Sequence, residues 1–100
     1  MIGRYKKLKE TLNRHKQELQ EKYQIKTIGI FGSYVRGENK RGSDFDLLVE
    51  FSEGAGMDLI KFIELENYIS DFLGVKVDLV MKSALKPGIG RHILEEAVYL

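Results

Sequence analysis

The sequence predicts an α/β fold of the α+β kind: a small mixed β-sheet covered by helices, in the order α-β-α-β-α-β-α. Three observations predict it. Apolar runs of strand length occur at residues 26–31, 44–51 and 75–80. Longer stretches with helical spacing occupy 4–23, 57–73 and 89–100. Glycine-rich or charged breaks separate them, as expected of helices layered on a sheet.

Residues 4–23 read as one helix. Leu8, Leu12, Leu19 and Tyr23 fall near a 3.6-residue period, with His15 on the same stripe as a packed or edge residue. Lys6, Lys7, Lys9, Arg14, Lys16 and Lys22 are interleaved with Glu10, Glu18 and Glu21, the pattern of a solvated face. Residues 26–31 form the first strand, in which Gly29 lets a neighbour approach closely. Ser33 then reads as the N-cap of a short helix through Tyr34, Val35 and Arg36. Gly37 to Gly42 is a charged loop.

The second strand runs from Asp44 to Phe51. Its near-continuous apolar run suggests a strand covered on both faces. After a turn at 52–56, residues 57–73 read as a helix with a wide apolar face of Leu59, Ile60, Phe62, Ile63, Leu65, Ile69 and Phe72. Gly74 stops it. The third strand, 75–80, carries Asp78 among apolar neighbours, where the carboxylate would be poorly solvated without a partner. Residues 82–90 are irregular around Pro87 and Gly88. A closing helix covers 89–100, with His92 on its surface or at its cap.

Composition narrows the function. The chain has 100 residues, 43% hydrophobic and 31% charged, and reads as one domain over 1–100 with one modest core. A net charge of +1 gives no global attraction to nucleic acid or an anionic membrane. Without cysteine there is no disulfide or thiolate metal site. No apolar run approaches the roughly 20 residues of a membrane span. With no targeting segment in view, the expected compartment is the cytoplasm.

The chemistry concentrates between Ile28 and Val49. Asp44 and Asp46 stand two apart, so on a strand they share a face, where like charges repel and raise each other's pKa. A divalent cation relieves this, and magnesium prefers carboxylate oxygens together with water and phosphate. Gly32 leaves its backbone open to phosphate, Ser33 adds a hydroxyl, and Arg36, Lys40 and Arg41 can neutralise phosphate charge. Asp78, on a neighbouring strand, can complete the carboxylate set.

Gly-Ser-Tyr-Val-Arg-Gly followed by Ser-Asp-Phe-Asp-Leu resembles the signature of the DNA polymerase β-like nucleotidyltransferase superfamily, and the short length points to its minimal (MNT) branch. Gly32, Ser33, Arg36, Gly37, Ser43, Asp44, Asp46 and Leu47 match; Val35 stands where alanine is usual. The resemblance implies the nucleotidyltransferase fold, with Asp44, Asp46 and Asp78 as catalytic metal ligands for two magnesium ions. It implies Gly32, Ser33, Arg36 and Ser43 as nucleotide-binding residues and ATP as donor. It further implies a HEPN-domain toxin as partner, with this chain as an antitoxin that transfers AMP to a tyrosine of the toxin. Two alternatives stand beside it: a nucleotide- or toxin-binding module without turnover, and transfer to a small molecule. Tyr99, Leu100 and the apolar second long helix leave room for self-association.

Overall fold

A computed structural model describes residues 3–100. Its elements are α1 (Gly3–Arg14), α2 (Lys16–Tyr23), β1 (Ile25–Phe31), α3 (Ser33–Arg36), β2 (Phe45–Phe51), α4 (Leu59–Leu73), β3 (Val77–Met81), a 3₁₀ turn (Lys82–Ala84), α5 (Ile89–Glu96) and β4 (Val98–Tyr99). The sheet order is β3-β2-β1-β4. β1 pairs antiparallel with β2 and with β4, while β2 and β3 are parallel, joined through α4 as parallel neighbours require. The mixed sheet expected from the sequence is therefore present.

The pleat divides the sheet into two unlike faces. Phe45, Leu47 and Val49 of β2, with Val77 and Leu79 of β3, join Leu8, Leu12 and Leu19 of the N-terminal helices and Leu65 and Ile69 of α4 in the core. The alternate residues, Asp46 and Asp78 among them, point the other way. Leu48 is nevertheless buried on that second face, in keeping with the expectation that β2 is covered on both sides.

The expected first helix is broken at His15. The ring Nδ1–H donates to the Thr11 carbonyl at 2.9 Å, the oxygen that the His15 backbone N–H would otherwise use. That N–H turns instead to the Leu12 carbonyl at 3.0 Å, a tighter i−3 bond. The ring stacks on Phe72 with centroids 3.9 Å apart, so His15 is a packed residue as expected.

At the other end, the closing helix stops at Glu96 rather than reaching Leu100. Val98 and Tyr99 add a fourth strand beside β1. Gly29 makes this contact: a Cβ there would lie 3.2 Å from the Tyr99 ring and 3.4 Å from the Ala97 methyl.

α4 begins at Leu59, two residues later than expected, because Asp58 caps it by accepting the Lys61 N–H at 2.8 Å. Its apolar face is only partly buried: Leu65 and Ile69 are inside, while Leu59 and Ile60 are 73% and 70% exposed. α4 also blocks the outer edge of β3. Ser70 Oγ accepts the Val77 N–H at 3.1 Å and Glu66 accepts the Leu79 N–H at 2.9 Å, which leaves less free edge for another strand. Among the described residues no helix is long and apolar enough to cross a membrane.

Candidate active site

The site is built where β1 ends. Gly32 follows Phe31 with φ +84°, a conformation natural to glycine. A Cβ here would lie 2.0 Å from the Asp46 Oδ2 and 2.9 Å from its Cγ. Phe31 pairs with Asp46 across the antiparallel ladder, so the carboxylate is pressed directly over the turn. Glycine is thus required twice, by the backbone and by its neighbour.

Asp46 also pairs with Asp78 in the parallel ladder of β2 and β3. Residues in register on adjacent strands share a face, so Asp78 lies on the same side of the sheet as Asp46. Asp44 precedes the first residue of β2 and is partly exposed. The Asp46 carboxyl is pushed up to about 6, first by its own burial, then by the charges of Asp78 and Asp44, with Arg36 pulling the other way and Glu96 adding to the rise. The contribution of Asp44 is the repulsion expected from the sequence, but burial and Asp78 outweigh it.

Asp78 departs from expectation in one respect. It is exposed, because β3 is an edge strand and this face lies opposite the packed helices. The idea that it would be poorly solvated without a partner is therefore incorrect. Among the described residues, no three side chains of the metal-ligating types form a ready-made cage.

The donor set still fits a hard divalent cation: carboxylate oxygens, one of them made costly to ionise by burial and by neighbouring like charges, over a turn where no side chain intrudes. Asp44, Asp46 and Asp78 would hold it.

The remaining expected residues lie around this turn. Gly32, not Ser33, occupies the N-cap position of α3, and the Ser33 hydroxyl makes no capping bond. Ser43 closes the preceding loop: its Oγ accepts the Lys40 N–H at 2.8 Å, and its own N–H donates to the Lys40 carbonyl at 2.9 Å. Lys40 and Arg41 are exposed.

Arg36 donates to Glu38 and to Glu96, each at 2.7 Å, and both carboxylates hold the guanidinium charged. Glu96 uses its other oxygen to accept the Gly32 N–H at 2.8 Å. Burial pushes the Glu96 carboxyl up, but the Gly32 N–H, Arg36 and His92 together outweigh it and leave the group below its ordinary value.

A cleft of about 710 Å³ opens here, lined by Phe31, Gly32, Arg36 and Asp46 on one wall and by His92, Ile93 and Glu96 of α5 on the other. Ser33, Asp44 and Asp78 are not part of its lining. Sequence reasoning missed the α5 wall. His92 is exposed, as expected, yet it borders the cleft, and Glu96 carried no signal beyond being one more glutamate on a helix.

Comparison with known proteins identifies the fold and the family. Residues 12–100 match the nucleotidyltransferase domain family. The chain is 53% identical over 93 residues to the protein adenylyltransferase MntA of Thermococcus cleftensis, covering 93% of this chain and 92% of that protein. A solved structure of the minimal nucleotidyltransferase type superposes with a TM-score of 0.75 at 34% identity, covering 93% of this chain and 95% of the other. A toxin–antitoxin crystal structure with AMP-PNP shares the fold with a TM-score of 0.70 at 24% identity, covering 86% of this chain and 69% of that one. The chain belongs to the nucleotidyltransferase domain family, on its minimal branch beside the MntA-type protein adenylyltransferases.

Proposed function

We propose that this nucleotidyltransferase moves AMP from ATP to a tyrosine hydroxyl of a HEPN-domain toxin and so acts as its antitoxin. The observation that carries the reading is the Asp46 carboxylate resting on side-chain-free Gly32 with Asp78 beside it in register. The protein-directed activity and the partner are supported by the relative from Thermococcus cleftensis, named a protein adenylyltransferase, and by the toxin–antitoxin complex that shares the fold.

In this reading Gly32 and Ser33 receive the triphosphate, while Arg36 balances its charge. The acceptor oxygen attacks the α-phosphorus in line. The bond from that phosphorus to the bridging oxygen breaks, and pyrophosphate leaves with the electron pair. Asp78 is exposed, so an acceptor on another protein can reach it; its carboxylate takes the hydroxyl proton. Asp44, Asp46 and Asp78 would hold magnesium, which when bound would neutralise phosphate charge and make the attacking hydroxyl more acidic. Ser43 contributes by holding the loop that leads into Asp44.

The test is incubation with α-labelled ATP, magnesium and the HEPN partner. Label should appear on a partner tyrosine and vanish with Asp44→Asn or Asp46→Asn. A partner that binds tightly yet remains unlabelled would overturn transfer and leave a binding module. Label appearing only on small-molecule acceptors would overturn the choice of acceptor.

A further inference from the structure

We propose that Glu96 is a resident anion seated in the phosphate-binding turn, and that an incoming triphosphate must displace it. The inference rests on the reading of Gly32 and Arg36 as phosphate-binding groups.

Both donors of that turn are already engaged by one carboxylate. Glu96 Oε2 takes the Gly32 N–H at 2.8 Å and Oε1 takes the Arg36 Nη1–H at 2.7 Å. One oxyanion bridging a backbone N–H and a guanidinium is how proteins grip phosphate, so the carboxylate stands where a phosphate group would. The contact is long-range, reaching 64 residues back along the chain from α5, so it is not an incidental product of local helix geometry.

Charge argues in the same direction. Arg36 offsets the charge around Asp46, while Glu96 adds to the repulsion there. A triphosphate laid against Gly32 with Glu96 still in place would meet a fourth carboxylate beside Asp44, Asp46 and Asp78. The Gly32 N–H would also have to serve two acceptors. Seating the phosphate and keeping Glu96 in place are therefore opposed. Their competition reduces apparent nucleotide affinity by the fraction of molecules in which the turn is free.

The experiment compares the wild type with Glu96→Gln, which keeps the shape and removes the charge, and with Glu96→Ala. The probes are magnesium AMP-PNP and inorganic tripolyphosphate, with dissociation constants measured by calorimetry. Glu96→Gln should bind both probes tighter, by about tenfold if the competent state is about a tenth of the wild-type population. Equal gains for the two probes locate the competition at phosphate.

A second readout needs no variant. In wild-type protein, saturating AMP-PNP should shift the Glu96 side-chain carboxyl carbon and the Arg36 Nη1–H signal in NMR spectra, as their contact opens. Unchanged or weaker binding in a folded Glu96→Gln protein would overturn the proposal and make Glu96 a brace for the turn; so would an undisturbed Glu96 signal in the saturated wild type. If the wild type binds both probes and Asp44→Asn weakens them, such a failure falls on Glu96 alone. If neither wild type nor variant binds either probe, the nucleotide-binding reading falls with it.

Discussion

Replacing Asp46 by asparagine should abolish transfer and at the same time stabilise the metal-free protein. The folded-state carboxyl titrates near 6 against an ordinary value of 3.8, raised by burial and by Asp78 and Asp44. In the unfolded chain the group ionises about two units earlier, so ionised Asp46 opposes folding. At about 1.4 kcal/mol per unit the unscreened cost approaches 3 kcal/mol. The group is only half-buried and water screens its neighbours, so about 1–1.5 kcal/mol is the fair expectation.

The sign follows from proton binding. Between pH 3.8 and about 6 the native state holds more protons than the unfolded state, so wild-type stability falls as pH rises through that window and is level above it. Asparagine removes this dependence. For a domain of this size the gain corresponds to roughly 4–10 °C in Tm. Calorimetry in EDTA should therefore show Asp46→Asn melting higher than wild type at pH 8, with the gap closing by pH 4. Added magnesium should raise the wild-type Tm and narrow the gap from the other side. A variant that melts at or below wild type at pH 8 would refute the claim that these carboxylates repel in the folded chain.

Other substitutions probe the frame around the site. Gly32→Ala should lower activity by about 10² or more, because its methyl would displace the Asp46 carboxylate; steady-state transfer measures it. The same variant should lose about 1–2 kcal/mol or more from its left-handed backbone, read as denaturant midpoint. Asp58→Ala removes the cap of α4 and should cost about 1 kcal/mol with transfer unchanged, read by thermal melting and the labelling assay. Leu65→Ala empties a fully buried core position and should cost about 2–5 kcal/mol in urea unfolding. Glu66→Ala combined with Ser70→Ala frees the Leu79 and Val77 amides on the β3 edge, and light scattering should report self-association above that of wild type.

What the sequence revealed of the site depended on distance along the chain. Gly32, Ser33, Arg36, Asp44 and Asp46 lie within fifteen residues, and the roles proposed for them follow from one turn and one strand start. Asp78 was legible because an acid within an apolar strand is unusual, although its solvation was misjudged. Only the sheet order shows that β3 is an edge. β4 was not legible because two residues carry no period, and Val98–Tyr99 becomes a strand only through the space that Gly29 leaves. The break at His15 was hidden for a similar reason: a ring nitrogen competes with its own backbone for the Thr11 carbonyl, while the apolar spacing runs on undisturbed. Glu96 was least visible, since nothing in Leu-Glu-Glu-Ala sets one glutamate apart until the fold brings it against Gly32.

These failures share a cause that bears on function. The helix-covered face is apolar and was readable from its periodicity, because the same residues fix local structure and core. The opposite face is electrostatically frustrated, with Asp44, Asp78 and Glu96 all adding to the charge felt by Asp46 and Arg36 offsetting it. Nothing in helix or strand propensity favours that arrangement. It is held because β2 is locked between β1 and β3 and anchored below by Phe45, Leu47 and Val49, all buried. A strand pinned so firmly can carry Asp46 in an unfavourable setting, and a carboxylate in that setting gains most when a cation arrives. The burial and repulsion that weaken the metal-free protein and the affinity that would hold magnesium then share one source. A variant that relieves the first must forfeit the second.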